Sequence, residues 1–258
     1  MKCVILAGGR GTRISEETVV RPKPLIEIGG RPLLWHIMQI FGAHGIHDFI
    51  VCLGYKGYLI KEYFANYYLH NSDMTVNLSD NTVTVHRSVT EPWNVTLVNT
   101  GEETLTGGRL KRVQRYLGDE PFCFTYGDGL SDVDITALVA HHGSTGKIAT
   151  VTAVQPPGRY GSVVVGADHC VLNFQEKPLG DNAWISGGFF VLQPEIFSYV
   201  DGDSASFEGA SLERLTSEGN LSAFRHSGFW HAVDTMRDKD ALESLWAAGR
   251  APWKVWAT

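Results

Sequence analysis

The sequence predicts an α/β protein with a single doubly wound, mostly parallel sheet and an antiparallel excursion. Apolar runs of strand length at 2–6 and 48–53 are each followed by a segment with helical spacing of apolar residues. This alternation of strand and helix is typical of a parallel sheet. Between 74 and 98 the runs become short and alternating, with turn residues between them, which predicts antiparallel strands inserted into or edging that sheet.

The remaining elements follow in chain order. Pro32 opens a predicted amphipathic helix over 33–44, and a second predicted helix covers 58–67. An apolar run at 121–126 predicts another buried strand, and shorter strands alternate with loops from 148 to 178. The tail RAPWKVW carries two tryptophans, which are typical of docking on the domain or of a subunit interface, and we interpret the tail as an oligomer contact.

Composition excludes two classes of partner. The chain has 258 residues, 43% of them hydrophobic, and a net charge of −6 with its basic residues dispersed, so a nucleic-acid surface is not expected. No apolar run approaches the length of a membrane span, and the N-terminus enters a strand at once. We therefore expect a cytoplasmic protein that binds neither nucleic acid nor membrane.

A glycine-rich loop follows the first strand. Gly8, Gly9 and Gly11 allow the backbone to approach a ligand closely and to direct its N–H groups inward. Arg13 adds a fixed cation, and Lys23 projects from the stiff segment RPKP. Because amides and cations are combined here, the stretch suits a triphosphate.

Three other interpretations of this loop compete with triphosphate binding. The spacing of AGGRGTR does not match the dinucleotide fingerprint G-x-G-x-x-G, and no G-K-[ST] follows as a P-loop requires. A nicotinamide-dependent oxidoreductase is also disfavoured because the strand at 48–53 ends in Cys-Leu-Gly rather than in an acidic residue. A plain tight turn would need neither Arg13 nor Lys23.

The motif L-A-G-G-x-G-T-R followed by x-P-K-P resembles the signature of sugar nucleotidyltransferases. These enzymes join a nucleoside triphosphate to a sugar 1-phosphate and release pyrophosphate. The resemblance extends over essentially the whole chain and implies the family's Rossmann-like fold. It implies one domain, 1–258, with a nucleotide-binding half to about 130, a sugar-binding half over 131–240 and a tail over 241–258.

The resemblance implies that two loops bind the nucleotide. The second loop follows the predicted strand that ends at Asn99, and in the family it contacts the base, with Arg109 expected as the specific donor. The TGG at its end remains open to a second interpretation as a simple helix cap. The residues expected to bind nucleotide are Leu6, Ala7, Gly8, Gly9, Arg10, Gly11, Thr12, Arg13, Lys23, Thr100, Gly101, Thr104, Arg109 and Gly127.

Two carboxylates are candidate metal ligands. Asp128 lies between two glycines at the carboxyl end of the strand at 121–126, where ligands bind in open α/β sheets, although an Asp-Gly hairpin turn is the alternative. Asp234 follows the strand-like FWHAV and is open to a role as a helix cap only. The resemblance implies that both hold Mg²⁺, and that Arg13, Lys23 and Asp128 are catalytic.

The motif Glu176-Lys177-Pro178 pairs an acceptor with a cation at the end of a strand. An exposed ion-pair turn is the alternative, but the family's E-K-P motif implies that Glu176 accepts sugar hydroxyls and that Lys177 meets the sugar phosphate. By the same resemblance the sugar pocket includes further positions, most of them glycines. They are Tyr160, Gly161, Gly187 and Gly188.

Longer segments, among them EPWNVTLVNTGEETLTGGRLKRV and GFWHAVDTMRDK, resemble family members that use CTP and glucose 1-phosphate. This implies transfer of a cytidylyl group to give CDP-glucose for bacterial surface polysaccharide, including lipopolysaccharide O-antigen. It also implies a homo-oligomer, with a hexamer as one form. Composition and spacing do not indicate cytosine, so UTP, dTTP or another sugar 1-phosphate stay open, as does a nucleotide sensor without turnover.

Overall fold

A computed structural model describes residues 1–88, 90–156, 158, 161–176, 179 and 183–257. The strands are β1 (Lys2–Ala7), β2 (Glu27–Ile28), β3 (Arg31–Pro32), β4 (Asp48–Leu53), β5 (Ser72–Asn77), β6 (Thr82–Ser88), β7 (Asn94–Asn99), β8 (Phe122–Tyr126), β9 (Gly129–Ser131), β10 (Ala149–Val154), β11 (Ser162–Val165), β12 (Val171–Gln175), β13 (Ile185–Leu192), β14 (Leu221–His226) and β15 (Trp230–Ala232). The α-helices are α1 (Ser15–Thr18), α2 (Leu33–Gly42), α3 (Gly57–Ala65), α4 (Tyr67–His70), α5 (Thr106–Arg112), α6 (Ile135–Thr145), α7 (Leu212–Ser217) and α8 (Met236–Ala247).

A seven-stranded sheet forms the centre of the fold, in the order β14-β10-β13-β8-β1-β4-β7. Neighbouring strands are parallel, except that β13 runs antiparallel to both β10 and β8. The prediction of a mostly parallel doubly wound sheet is thus confirmed. Strands from both sequence halves share the sheet, so the carboxyl ends of β1 and β8 lie together at one edge.

The excursion between 72 and 99 was predicted only in part. β5 and β6 form a separate antiparallel hairpin, as expected. The third run, β7, instead pairs in parallel with β4 at the edge of the main sheet, so the prediction that it is antiparallel is wrong. Alternation of polar and apolar residues shows that one face of an edge strand is solvated, but it does not give the direction of pairing.

The core lies on both faces of the sheet because successive strand residues point to opposite sides. In β1, Cys3 and Ile5 belong to one buried cluster, whereas Val4 and Leu6 belong to the other. The helix α2 has eight buried residues and packs with the first cluster. A strand covered on both faces reads as a continuous apolar run, which is why β1 was recognisable from the sequence.

The C-terminal tail packs on its own chain. Trp253 is fully buried, and its ring stacks on Phe229 and Trp246 at centroid distances of 5.5 and 6.3 Å. Its indole Nε1 is 3.4 Å from Nδ1 of the buried His36. The prediction of a subunit contact is therefore wrong for Trp253, since the sequence could not indicate which apolar surface would cover it.

Within the part of the chain that the structure describes, no helix has both the length and the apolar character needed to cross a membrane.

Candidate active site

A cavity of about 430 Å³ opens at the edge of the sheet where β1 and β8 end. It brings together both loops that were predicted to bind nucleotide and both predicted metal ligands. The residues that line it are Leu6, Ala7, Gly8, Gly9, Arg10, Gly11, Thr12, Arg13, Lys23, Pro24, Glu102, Glu103, Thr104, Leu105, Thr106, Arg109, Tyr126, Gly127, Asp128 and Asp234.

The backbone of the glycine loop requires glycine at two positions. Gly11 has a φ of 62°, in the left-handed region, and its carbonyl oxygen accepts a hydrogen bond from Ile14 N at 3.1 Å. Gly8 lies so close to Arg109 that an added Cβ would be 2.1 Å from Nη1 of that side chain. Any larger residue at Gly8 would displace the guanidinium or the loop.

Lys23 joins the two predicted metal ligands. Its Nζ donates to Oδ2 of Asp128 at 2.7 Å and to Oδ1 of Asp234 at 2.9 Å. Arg13 Nη1 donates to the other oxygen of Asp234 at 2.8 Å. The three residues that were predicted to be catalytic therefore form one cluster with Asp234 at the wall of the cavity.

Electrostatics stabilise the charged form of Lys23. Burial lowers the pKa of the ammonium, but the nearby carboxylates of Asp128 and Asp234 outweigh this effect and hold the pKa above its ordinary value. Lys23 is therefore a permanent cation at physiological pH. It offers a fixed positive charge to an anion in the cavity.

Asp234 does not cap the helix that follows it. The N-cap of α8 is Thr235, whose side chain accepts from Asp238 N, and the Asp238 carboxylate accepts from Thr235 N to complete a capping box. The carboxylate of Asp234 is consequently directed to Lys23 and Arg13. The alternative that Asp234 serves as the cap is wrong.

The hairpin alternative for Asp128 is also wrong. Asp128 lies in a turn between β8 and β9, but β9 pairs with β15 rather than with β8. The backbone of this turn is held by a bond from Gly127 N to Leu6 O at 2.9 Å and by one from Val233 N to Asp128 O at 2.9 Å. These two bonds connect both carboxylate-bearing segments to the end of β1.

The guanidinium of Arg109 is hydrogen-bonded to other atoms of the protein. Its side chain is 5% exposed, and its two Nη atoms donate to oxygens of both nucleotide loops and of β4. These acceptors are Leu53 O, Thr100 Oγ1, Gly101 O, Gly8 O and Glu102 O. Arg109 lines the cavity, and its Nη donors hold the two loops together. Its contact with the base stays a prediction.

The loop that follows β7 is ordered by this network. Thr100 is buried, with its hydroxyl 2.7 Å from Leu53 O, and Gly101 has a φ of 88° that only glycine adopts readily. Glu103, on the same loop, forms an ion pair with Arg10 of the glycine loop. The two nucleotide loops therefore face each other across the cavity and are linked at its mouth.

The predicted sugar-side residues lie on two other elements. Gly161 and the exposed Glu176 flank the β11–β12 hairpin, where a Cβ at Gly161 would lie 3.2 Å from Glu176 Oε2. Gly187 and Gly188 lie on β13, and none of these four lines the cavity as far as the described residues define it. Tyr160 and Lys177 lie outside the described residues.

Several lining residues, including Thr106 and Tyr126, were not among the residues expected to bind nucleotide. Tyr126 ends β8 two positions before Asp128, and this place at the carboxyl end of a buried strand is the signal that could have identified it. Glu208, which hydrogen bonds to both, comes from a distant segment and has no such signal.

In the Lys23 cluster, the side chains of Asp128 and Asp234 offer the oxygen ligands that Mg²⁺ prefers. Among the described residues no group of three or more His, Cys, Asp or Glu side chains could hold a metal ion alone. Two carboxylates are enough for an ion that takes its remaining oxygens from substrate phosphates and water. The donor set of Asp128 and Asp234 fits magnesium on these terms.

The fold and the site define a phosphate-handling α/β protein, and comparison with known families agrees. The nucleotidyl transferase family matches residues 2–246, so the chain belongs to that family. The glucose-1-phosphate cytidylyltransferase of Salmonella typhimurium is 57% identical over 257 residues, which are 99% of this chain and 100% of that protein. The probable glucose-1-phosphate cytidylyltransferase of Bacillus subtilis is 43% identical over the same shares of the two chains.

A solved structure shows the same fold. HddC from Yersinia pseudotuberculosis superposes with a TM-score of 0.69 at 24% identity, covering 95% of this chain and 99% of that one.

Proposed function

We propose that the protein transfers the cytidylyl group of CTP to α-D-glucose 1-phosphate and releases pyrophosphate and CDP-glucose. The similarity over 257 residues to two proteins that carry this activity in their names supports the choice of substrates. The observation that carries the proposal is the cluster at the cavity wall, where Lys23 Nζ contacts Asp128 and Asp234 at 2.7 and 2.9 Å. Two cations and two carboxylates beside a glycine loop are the charges that this reaction needs.

The reaction proposed is a direct displacement without a protein nucleophile. An oxygen of the sugar phosphate attacks the α-phosphorus of CTP in line, the new P–O bond forms, and the bond to pyrophosphate breaks. Both reactants are anions that repel each other, so the protein contributes chiefly position and counter-charge. Lys23 neutralises the α-phosphate region, and Arg13 with the loop amides neutralises the leaving phosphates.

Asp128 and Asp234 would hold Mg²⁺ together with the substrate phosphates. When bound, the ion supplies positive charge that offsets the developing negative charge on the phosphate oxygens. Because Arg13 and Lys23 also bond to these carboxylates, the carboxylates position the cations as well. The proposal thus gives the two acidic residues a role in ordering the site that does not depend on the metal.

The sugar half is proposed from the family resemblance. Glu176 accepts sugar hydroxyls and Lys177 meets the incoming phosphate, while the glycines at 161, 187 and 188 leave room for the ring. The product would enter sugar synthesis for bacterial surface polysaccharide. A cytoplasmic location and a homo-oligomer belong to the same proposal.

A grid of substrates tests this function. CTP, UTP, dTTP, ATP and GTP are each combined with the 1-phosphates of glucose, galactose and mannose, with and without Mg²⁺, while pyrophosphate is measured. The fastest release should come from CTP with glucose 1-phosphate and should require Mg²⁺. A clear preference for UTP or dTTP would overturn the assigned base but leave the reaction class, whereas nucleotide binding with no pyrophosphate from any pair would indicate a sensor.

A further inference from the structure

Glu208 is a solvent-exposed carboxylate that accepts three hydroxyl bonds, two of them from residues of the cavity wall. Tyr126 Oη donates to Glu208 Oε1 at 2.5 Å, and Thr106 Oγ1 and Ser206 Oγ donate to Oε2 at 2.5 and 2.7 Å. Thr106 and Tyr126 line the cavity, whereas Glu208 is not one of the lining residues. Glu208 therefore joins two wall residues, Thr106 and Tyr126, through its two carboxylate oxygens.

The direction of these bonds is fixed by charge. Burial raises the pKa of Glu208, but the hydroxyl bonds from Thr106, Tyr126 and Ser206 outweigh it and lower the pKa below its ordinary value. Burial and the adjacent Glu208 raise the pKa of the Tyr126 phenol, so it stays protonated. An ionised carboxylate only accepts, and each hydroxyl therefore uses its single proton on Glu208.

The bond from Tyr126 to Glu208 fixes the tyrosine ring against Gly188, one of the glycines predicted to bind the sugar. Gly188 has a φ of 77°, and a Cβ there would lie 2.7 Å from the Tyr126 ring, so the ring packs directly on the backbone. The pairing of β10 with β13 is irregular here, which makes the segment a bulge. The indole of Trp230 donates to Gly187 O at 2.7 Å and holds the bulge from another direction.

The bond from Thr106 to Glu208 fixes the first residue of α5, the helix that follows the predicted base loop. Thr106 is the first residue of α5, and its hydroxyl accepts from Phe207 N at 2.9 Å while donating to Glu208. Gly107 N donates to Ala205 O at 3.0 Å. The segment that carries Glu208 is thus bonded along the beginning of α5, next to the loop that Arg109 organises.

We propose that Glu208 is a positioning residue for both substrates: by holding Thr106 and Tyr126 together, it fixes the wall between the nucleotide loop and the glycine bulge of the sugar side. The proposal rests on the proposed function, because it takes the bulge at Gly187 and Gly188 as part of the sugar site. Glu208 acts through its neighbours and does not touch the substrate.

Four variants give a distinctive kinetic pattern. Tyr126→Phe should raise the KM for the sugar 1-phosphate and Thr106→Val the KM for the triphosphate, each with little effect on the other substrate. Glu208→Ala should raise both KM values, by about tenfold each, as expected when hydrogen bonds to a charged group are lost. The double variant Tyr126→Phe/Glu208→Ala should be no worse for the sugar phosphate than Glu208→Ala, since both remove the same bond.

A second tyrosine–glutamate pair supplies the matched control. Tyr199 Oη donates to Glu218 Oε2 at 2.5 Å, the same distance as in the Tyr126 pair, but neither residue lines the cavity. Tyr199→Phe should leave both KM values unchanged. If Glu208→Ala is not folded by circular dichroism, Glu208→Gln carries the test, because glutamine keeps the size but only one acceptor oxygen.

The outcome is judged on the triphosphate and sugar 1-phosphate that the wild-type protein uses best, so an error in the assigned substrates does not affect it. Wild-type KM values in folded Glu208→Ala or Glu208→Gln would overturn the proposal. So would a change no larger than that of Tyr199→Phe, because that would make Glu208 an ordinary structural residue. Absence of turnover from every substrate pair in the wild-type protein would contradict the proposed function, and the same variants are then compared by their Kd for CTP and for glucose 1-phosphate.

Discussion

Lys23 and Asp234 are 211 residues apart in the sequence, and a 2.9 Å hydrogen bond joins their side chains. The same ammonium contacts Asp128, so three segments of the chain meet at one cation. The three side chains are close together because the segments that follow β1, β8 and β15 lie in one region of the fold. Substitutions in this cluster therefore test both the fold and the proposed chemistry.

Asp128→Asn and Asp234→Asn should each give a folded protein that is nearly inactive. Asparagine is close in size to aspartate, but it removes the charge that orders Lys23 and would hold Mg²⁺. Loss of a charge contact of this kind reduces the rate by about 10²-fold or more. The double variant should be little worse than either single variant, because the carboxylates act as one unit. Steady-state kinetics and thermal unfolding measure the two properties separately.

Asp134 is the matched control for these changes. Its side chain is a true helix cap that accepts from Ala137 N at 2.9 Å at the start of α6. Asparagine caps helices about as well as aspartate, so Asp134→Asn should leave both stability and turnover near wild type. Near-normal turnover in Asp234→Asn would refute the role given to that carboxylate.

Arg109→Lys should weaken CTP binding, although the Nη atoms of Arg109 donate to oxygens of the protein. Lysine cannot reproduce the planar fork that contacts five acceptors, so the glycine loop and the base loop lose their common anchor. We expect a KM for CTP raised by about tenfold and a lower melting temperature. The control is Arg115→Lys, because Arg115 is exposed and its side chain donates to Tyr116 Oη, away from both loops. Equal effects of the two changes would contradict an anchoring role.

Lys177→Ala should raise the KM for glucose 1-phosphate far more than the KM for CTP. The expectation comes from the family resemblance, in which this ammonium meets the incoming phosphate. Lys147→Ala is a suitable control, because Lys147 precedes β10 and so lies at the opposite end of that strand from the predicted sugar residues. If Lys177→Ala raised only the KM for CTP, the division of the site into nucleotide and sugar halves would be wrong.

His36 should make the protein less stable in mild acid. It is fully buried, and burial lowers its pKa from 6.5 to about 4, so the native state holds the neutral ring, which lies 2.9 Å from Ile28 O through Nε2. As pH falls from about 6.5 to 4 the unfolded chain binds a proton that the native chain does not, and stability decreases by up to about 3 kcal/mol. Above pH 6.5 this contribution is constant.

Urea unfolding between pH 4 and 7 measures the effect. His36→Gln should show a flatter dependence of the unfolding free energy on pH than the wild-type protein, although its stability at pH 7 is lower. His70→Gln, at an exposed position on α4, is the control and should keep the wild-type slope. An unchanged slope in His36→Gln would contradict a neutral buried ring.

The sequence was sufficient wherever local pattern decides the outcome. β1 and β4 are buried on both faces and appear as apolar runs, and the glycine loop follows directly from its composition. Asp128 could be placed because the carboxyl end of a buried strand is a ligand position in this class of sheet.

The pairing of strands and side chains that are far apart in the sequence could not be predicted from local patterns. The parallel direction of β7 and the antiparallel direction of β13 depend on which strands meet, which no local pattern encodes. The same holds for Arg109, whose acceptors lie on two loops and at the end of β4, and for Glu208, whose hydroxyl donors include Thr106 and Tyr126 from two other elements. Burial of Trp253 likewise required knowledge of the surface around His36.

Cytidylyl transfer at the Lys23 cluster is best tested by ³¹P nuclear magnetic resonance of the complete reaction. With CTP, glucose 1-phosphate and Mg²⁺, signals of a nucleoside diphosphate sugar and of pyrophosphate should grow in equal amounts. Omission of the sugar phosphate, or use of Asp128→Asn, should abolish both signals. Orthophosphate as the product, or pyrophosphate formed at the same rate without glucose 1-phosphate, would show hydrolysis instead of transfer and contradict the account.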